Sequence, residues 1–237
     1  MAKKILLMNK ILNILFLIIT LPVFSQNEDT IKPTKYFASD QIVYELNNNY
    51  WLNLPPKVRI NNISLSSNIY LMFPIIGKFS NVSLALGLGV GSGSVRNNSL
   101  PVDSAGITRF YVIPDSIKYS HNKFVTTYLE APLEIRFMTN PDYKNRSYKL
   151  TIGGKFGYLV GKHYKYNGYD YLSDTEEKIK FKIFRVKNLM PYRYGVYARI
   201  GYGKFALSGF YALSTLFEEN KGPEVVPLTF GLTILLF

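Results

Sequence analysis

Between Tyr192 and Gly203 the chain alternates with a period of two: Tyr192, Tyr194, Val196, Ala198, Ile200 and Tyr202 are apolar, and Arg193, Gly195, Tyr197, Arg199 and Gly201 stand between them. Successive side chains of a β-strand point to opposite faces, so one face here suits an apolar surrounding and the other an interior that is small or charged. The pattern returns along the chain. Tyr148–Val160 sets Tyr148, Leu150, Ile152, Phe156, Tyr158 and Val160 against Lys149, Thr151, Gly153, Lys155 and Gly157. Val125–Phe137 sets Val125, Leu129, Leu133, Ile135 and Phe137 against Thr126, Tyr128, Glu130, Glu134 and Arg136. Val82–Val90 and Phe205–Phe217 alternate apolar residues with glycine, alanine and serine. Gln41–Leu52, with Glu45 on the inner face, and Ile63–Phe73 alternate more weakly, and Val225–Phe237 is an apolar strand that closes the chain. The count is eight.

Such strands predict an all-β fold: an eight-stranded antiparallel transmembrane β-barrel, an up-and-down meander over residues 41–237. After Ser25 no apolar run is long enough for a membrane helix, so a crossing has to be made by a closed barrel, which satisfies every backbone group without helices. A soluble lipocalin-like barrel also has eight strands, but it would turn its large apolar residues inward around a ligand cavity. Here the inner faces are glycine, serine and charge. An even count returns both ends to one side of a membrane, and the links Pro74–Lys78, Thr139–Ser147 and Gly201–Lys204 are short enough to be the inner turns. The links from about Val95 to Lys123 and from Gly161 to Met190 read as two long outer loops.

The amino terminus carries an address. Lys3, Lys4 and Lys10 precede the apolar run Ile11–Leu21, and Val23-Phe24-Ser25 offers a small-residue exit, which predicts a signal peptide over residues 1–25 and a periplasmic segment over 26–40. The expected location is the bacterial outer membrane. With no cysteine, neither a lipid anchor at a new amino terminus nor a disulfide is available. Removing residues 1–25 with their three lysines lowers the formal charge from +12 to +9 and leaves 212 residues. In an exported chain rich in aromatics (Tyr 19, Phe 16) this basic balance points away from nucleic acid and toward the phosphate-rich outer leaflet and its lipopolysaccharide.

The inward charges form the candidate site: Glu45, Glu130, Glu134, Arg136, Lys149, Lys155, Arg193 and Arg199. An eight-stranded barrel encloses little more than its own side chains, so these groups are expected to pair across the lumen as a plug. The alternative is a narrow ion path gated by the same pairs. The Gly161–Met190 link adds Lys162, Lys165, Lys178, Lys180, Lys182, Arg185 and Lys187, mixed with Asp170, Asp174, Glu176 and Glu177. Two readings of it stand open: cations that grip lipopolysaccharide phosphates, or a solvated loop.

Lipid-modifying chemistry at the outer leaflet would need a hydroxyl nucleophile with a histidine base held by a carboxylate. His121 and His163 fall at the outer ends of strands, but neither has a Ser/Glu partner at motif spacing, so no enzyme, cofactor or metal is expected. The run Gly87-Leu-Gly-Val-Gly-Ser-Gly93 lies in a strand and opens no helix, so its glycines read as relief of inward crowding. Pro132 removes a ladder donor, and a bulge between Glu130 and Glu134 is its expected accommodation.

Several stretches carry a resemblance: Thr127-Tyr-Leu-Glu-Ala-Pro-Leu-Glu-Ile-Arg136, Gly154–Gly161, Tyr192–Gly203, Leu213–Phe217 and Lys221–Glu224. Together they are similar to the PorT-like, porin-family small outer-membrane β-barrel proteins of Bacteroidetes, and the architecture resembles OmpA/OmpX-type barrels. The resemblance implies an outer-membrane barrel with Pro132 as a family feature. It also implies the outer-membrane assembly machinery as a partner, and a secretion or surface protein as another. It carries no catalytic residues. Gly231 and Phe237 supply the C-terminal assembly signal, with Gly231 six residues before the end rather than five and Leu235 where an aromatic is usual.

Overall fold

The computed structural model describes residues 41–237 apart from 62, 78–80, 145, 172–176 and 237. The signal peptide, the 26–40 segment and Phe237 lie outside the described residues. Eight strands form a closed antiparallel barrel: β1 (Ile42–Leu52), β2 (Leu65–Ile76), β3 (Val82–Arg96), β6 (Tyr119–Met138), β7 (Tyr148–Tyr169), β9 (Tyr192–Tyr202), β10 (Phe205–Ala212) and β11 (Val226–Leu236). Each pairs with its neighbour around the ring, β1 pairs β11 from Ile42↔Leu236 to Leu52↔Val226, and the β6–β7 ladder closes the rest. Three further strands, β4 (Ser99–Ser104), β5 (Ile107–Val112) and β8 (Lys178–Ile183), lie outside the ring.

The alternation sets the faces. Val82, Leu86, Leu88 and Val90 of β3, Leu129, Leu133, Ile135 and Phe137 of β6, and Ile152 and Phe156 of β7 are all exposed on the outside. In water so broad an apolar belt is a liability, and in a bilayer it is the wetted surface. Aromatic rings mark both edges. Phe73, Tyr148, Tyr202 and Phe205 lie at the end with the short turns, where the Tyr148 and Tyr202 rings meet at a tilt, 4.7 Å between centroids. Phe156, Tyr158, Tyr192 and Tyr211 lie toward the end with the long links. Such girdles belong at the two membrane interfaces.

Much of what the sequence suggested were two long outer loops is, among the described residues, strand and core. β3, β6 and β7 run on past the apolar belt, β4 and β5 make a hairpin, and β8 pairs along the upper part of β7 from Tyr164↔Ile183 to Tyr169↔Lys178. The hairpin turns on Ala105 (φ 52°) and Gly106 (φ 82°), two left-handed residues as a two-residue primed turn requires. A β-bulge leaves Val160 unpaired between Tyr128↔Leu159 and Thr127↔Gly161. One extra residue exchanges the faces of the strand. Lys155 and Gly157 therefore point inward below the bulge, and Tyr164 and Tyr166 are fully buried above it.

Those two tyrosines belong to a second core beyond the belt, built with Trp51, Phe124, Leu189 and Phe217 and partly covered by Phe110, Ile179 and Phe181. Trp51 meets Phe124 edge-on at 5.8 Å, and Tyr166 stacks on Phe181 at 5.3 Å. Polar links lock the pieces: Tyr164 Oη donates to the Ser99 carbonyl (3.0 Å), and Lys187 Nζ lies 2.6 Å from Asp103 Oδ2. The expected Phe205–Phe217 strand ends at Ala212 because Leu216 and Phe217 turn into this core.

The bulge expected at Pro132 is absent. β6 and β7 keep one register from Glu130↔Gly157 to Glu134↔Gly153, and on the β3 side the ladder is interrupted, without a shift, between Gly89↔Glu130 and Leu86↔Leu133. The missing donor costs pairing on one side only. Gly87 makes room for it, since a Cβ there would stand 3.0 Å from Pro132 Cγ.

Leu133→Arg, in the middle of the belt, is expected to lower the unfolding free energy in phospholipid vesicles by about 2–4 kcal/mol. Ile107→Arg, on the half-exposed hairpin beyond it, should stay within about 0.5 kcal/mol. Equal losses in a urea titration would contradict this placement of the membrane.

Candidate functional site

The even positions of β6, the odd positions of β1 and β9, and the odd positions of β7 below its bulge face the lumen, and there the charges meet. Glu130, 1% exposed, accepts from Tyr70 Oη at 2.5 Å and from Arg193 Nη2. Lys155 Nζ donates to the same Tyr70 oxygen at 2.7 Å and lies 3.7 Å from both Glu130 Oε2 and Glu45 Oε2. Glu45 also accepts from Asn68 Nδ2 (3.0 Å). Next to this group Glu134, 1% exposed, accepts from Arg136 Nε at 2.5 Å, from Tyr197 Oη and from Arg199 Nη2.

The cations also rest on rings. Lys155 Nζ lies 4.8 Å from the centroids of both Tyr70 and Phe210, and the Arg193 guanidinium lies 4.0 Å over Tyr128. Aromatic faces offer a buried cation part of what water would have given. Space comes from glycine. A Cβ on Gly91 would stand 2.8 Å from Glu130 Oε2, and one on Gly153 would stand 2.9 Å from both Glu134 Cβ and Tyr197 Cε1. Seven of the eight residues singled out by alternation thus meet in two adjacent groups in the lumen, around Glu130 and around Glu134. Lys149 does not join them: it is half-buried on the same face at the turn end, between Met138 of β6 and Gly201 of β9.

The sequence singled out the charges and passed over most of their neutral partners. Tyr70, Asn68 and Phe210 share the inward parity of their strands, and that parity was the available signal. Gly231 faces inward opposite Asn47 and Ser208, where a Cβ would stand 2.2 Å from the Leu46 carbonyl oxygen, so this position needs glycine for packing alone.

A pore needs a continuous wet path. The space beside Asn49, Tyr128 and Arg193 amounts to about 20 Å³, and that beside Asn68, Lys155 and Phe210 to about 10 Å³. Each holds about one water. Both spaces are lined by Arg193, whose Nε is buried with no protein partner and would be satisfied by such a water. The aromatic core then closes the end with the long links. His121 and His163 stay outside the lumen: His121 Nδ1 lies 3.3 Å from the neighbouring Ser120 Oγ, whose hydroxyl donates to the Asn167 carbonyl, and His163 lies against Phe184.

The chain belongs to the family of outer membrane protein β-barrel domains, which matches residues 24–218. The match stops short of β11, yet β11 completes the ring with full ladders to β1 and β10. No curated protein matches the chain. An outer-membrane barrel has its short turns in the periplasm and its long connections outside, so the aromatic core is extracellular.

Removing one partner from a buried charge cluster strands the others, at a cost of about 3–5 kcal/mol. Glu134→Gln is therefore expected to lower stability by that amount, and Glu218→Gln, in the exposed pair with Lys221, by less than about 1 kcal/mol. Equal effects in the two variants would mean that the cluster is hydrated like the surface.

Proposed function

We propose that this protein is a non-conducting outer-membrane scaffold that acts through its extracellular body, in a structural, adhesive or secretion-accessory role. One observation carries the reading: the interior is filled along its length, first by the Glu130 and Glu134 clusters and then by the core around Trp51, Phe124 and Tyr164. A barrel that transports nothing has its working surface outside. The resemblance to PorT-like proteins of Bacteroidetes supports the secretion-accessory form, with a secretion or surface protein as partner. Export by residues 1–25 and insertion by the assembly machinery, guided by Gly231 and Phe237, complete the proposal. Lipopolysaccharide is the expected surrounding of the extracellular body.

The folded mature chain, residues 26–237, is expected to give no stable current steps in planar lipid bilayers, with heat-modifiable migration on a gel as the proof of folding. Steps that shift in Glu134→Gln or Arg199→Gln would replace this reading with a gated channel.

A further inference from the structure

Four cations on four adjacent strands face one another across the outer surface of the extracellular sheet. The register pairs Arg96 of β3 with Lys123 of β6, Lys123 with Lys165 of β7, and Lys165 with Lys182 of β8. With strands about 4.8 Å apart, the row is about 14 Å long. Like charges directly opposite on neighbouring strands destabilise a sheet, and here three such pairs follow one another. Two other cations of the extracellular body have partners, Lys187 on Asp103 and Lys221 on Glu218 at 2.6 Å each. Among the described residues no carboxylate lies within ion-pair distance of any of the four.

The row also has shape. Lys123, His163, Lys165, Lys180 and Lys182 line an open cleft of about 430 Å³ together with Phe181. Phe184, largely exposed, lies at one edge: Lys182 Nζ is 4.5 Å from its centroid and the His163 ring 6.1 Å away. Partial burial, then the neighbouring cations, push the Lys123 ammonium and the His163 imidazole below their ordinary pKa values. This repulsion is a standing cost that an anion removes.

Height identifies the anion. Lys165 is five residues beyond Val160, the last outward apolar residue of β7, which at about 3.3 Å per residue and a tilt near 40° puts the row about 12 Å above the apolar belt. The headgroup layer is about 5–8 Å thick on each side, so the row stands about 5 Å above it, a gap that long lysine side chains reaching down can span. We propose that Arg96, Lys123, Lys165 and Lys182 form a docking site for the phosphate groups of lipopolysaccharide, with Phe184 against the apolar part of the same molecule. The site rests on the reading that this end of the barrel faces the outer leaflet.

The test uses the folded mature protein in phosphocholine vesicles containing bisphosphorylated lipid A, dephosphorylated lipid A, or neither, with inorganic phosphate as a soluble competitor. Lipid A should raise the urea midpoint of the natural sequence, the dephosphorylated form should not, and inorganic phosphate should fail to substitute. At about 1 kcal/mol per cation near an anionic surface, Lys123→Gln with Lys165→Gln should weaken lipid A binding roughly 30-fold. Lys187→Gln should leave it unchanged. Relief of repulsion means that the double variant should fold at least as well without lipid A, and Arg96→Gln with Lys182→Gln, on exposed positions, provides a second pair. No preference for the phosphorylated lipid, or equal binding of free phosphate, would overturn the proposal. A barrel that conducts yet prefers lipid A overturns the scaffold reading alone, and a silent barrel with no preference overturns this site alone.

Discussion

Everything inside this barrel follows from the narrowness of an eight-stranded ring. Its interior has room for side chains and isolated waters but not for a hydration shell, so a carboxylate placed there must find its counter-charges across the lumen. Glu130 and Glu134 do so with Arg193, Lys155, Arg136 and Arg199, and each adds a tyrosine hydroxyl, from Tyr70 and Tyr197. The ring has to be held at a fixed stagger for these groups to meet. Glycine on the opposing strands supplies the volume, which is why Gly91 and Gly153 abut carboxylate side chains rather than empty space.

A second constraint acts where the strands leave the membrane. Above the lipid an outward apolar face would meet water, so β7 cannot keep the alternation it uses below. The bulge at Val160 exchanges its faces, sending Tyr164 and Tyr166 inward and His163 and Lys165 outward. β8 then adds its own alternation, Lys178, Lys180 and Lys182 outside against Ile179 and Phe181 on the core side. The charged lumen and the aromatic core thus follow each other along one continuous set of strands. The cost of the arrangement is a concentrated positive surface beside the outer leaflet.

How much of this was legible depends on the range of the interaction. Faces are a local property, so alternation located the eight strands, the lipid side and the charges that cluster in the lumen. Partners are not local: Tyr70 and Glu130 are sixty residues apart, and only the strand order and stagger bring them together. Lys178–Ile183, Lys-Ile-Lys-Phe-Lys-Ile, alternates perfectly, but within a stretch dense in charge it read as a loop, because an amphipathic strand above the membrane has lysine where one inside has leucine. Ala105-Gly106 hid its turn by lacking the asparagine or aspartate usual at that position. Pro132 misled in the other direction, since a gap in one ladder beside Gly87 needs no bulge.

A single packed interior runs from the periplasmic turns through the membrane into the extracellular core. Amide hydrogen exchange on the folded protein tests it most directly, by comparing residues 119–128 and 159–169 with residues 129–138 of the membrane belt. All three segments are expected to open together, at rates set by global unfolding. Exchange of the upper segments at the pace of an open loop, with the belt still protected, would contradict it.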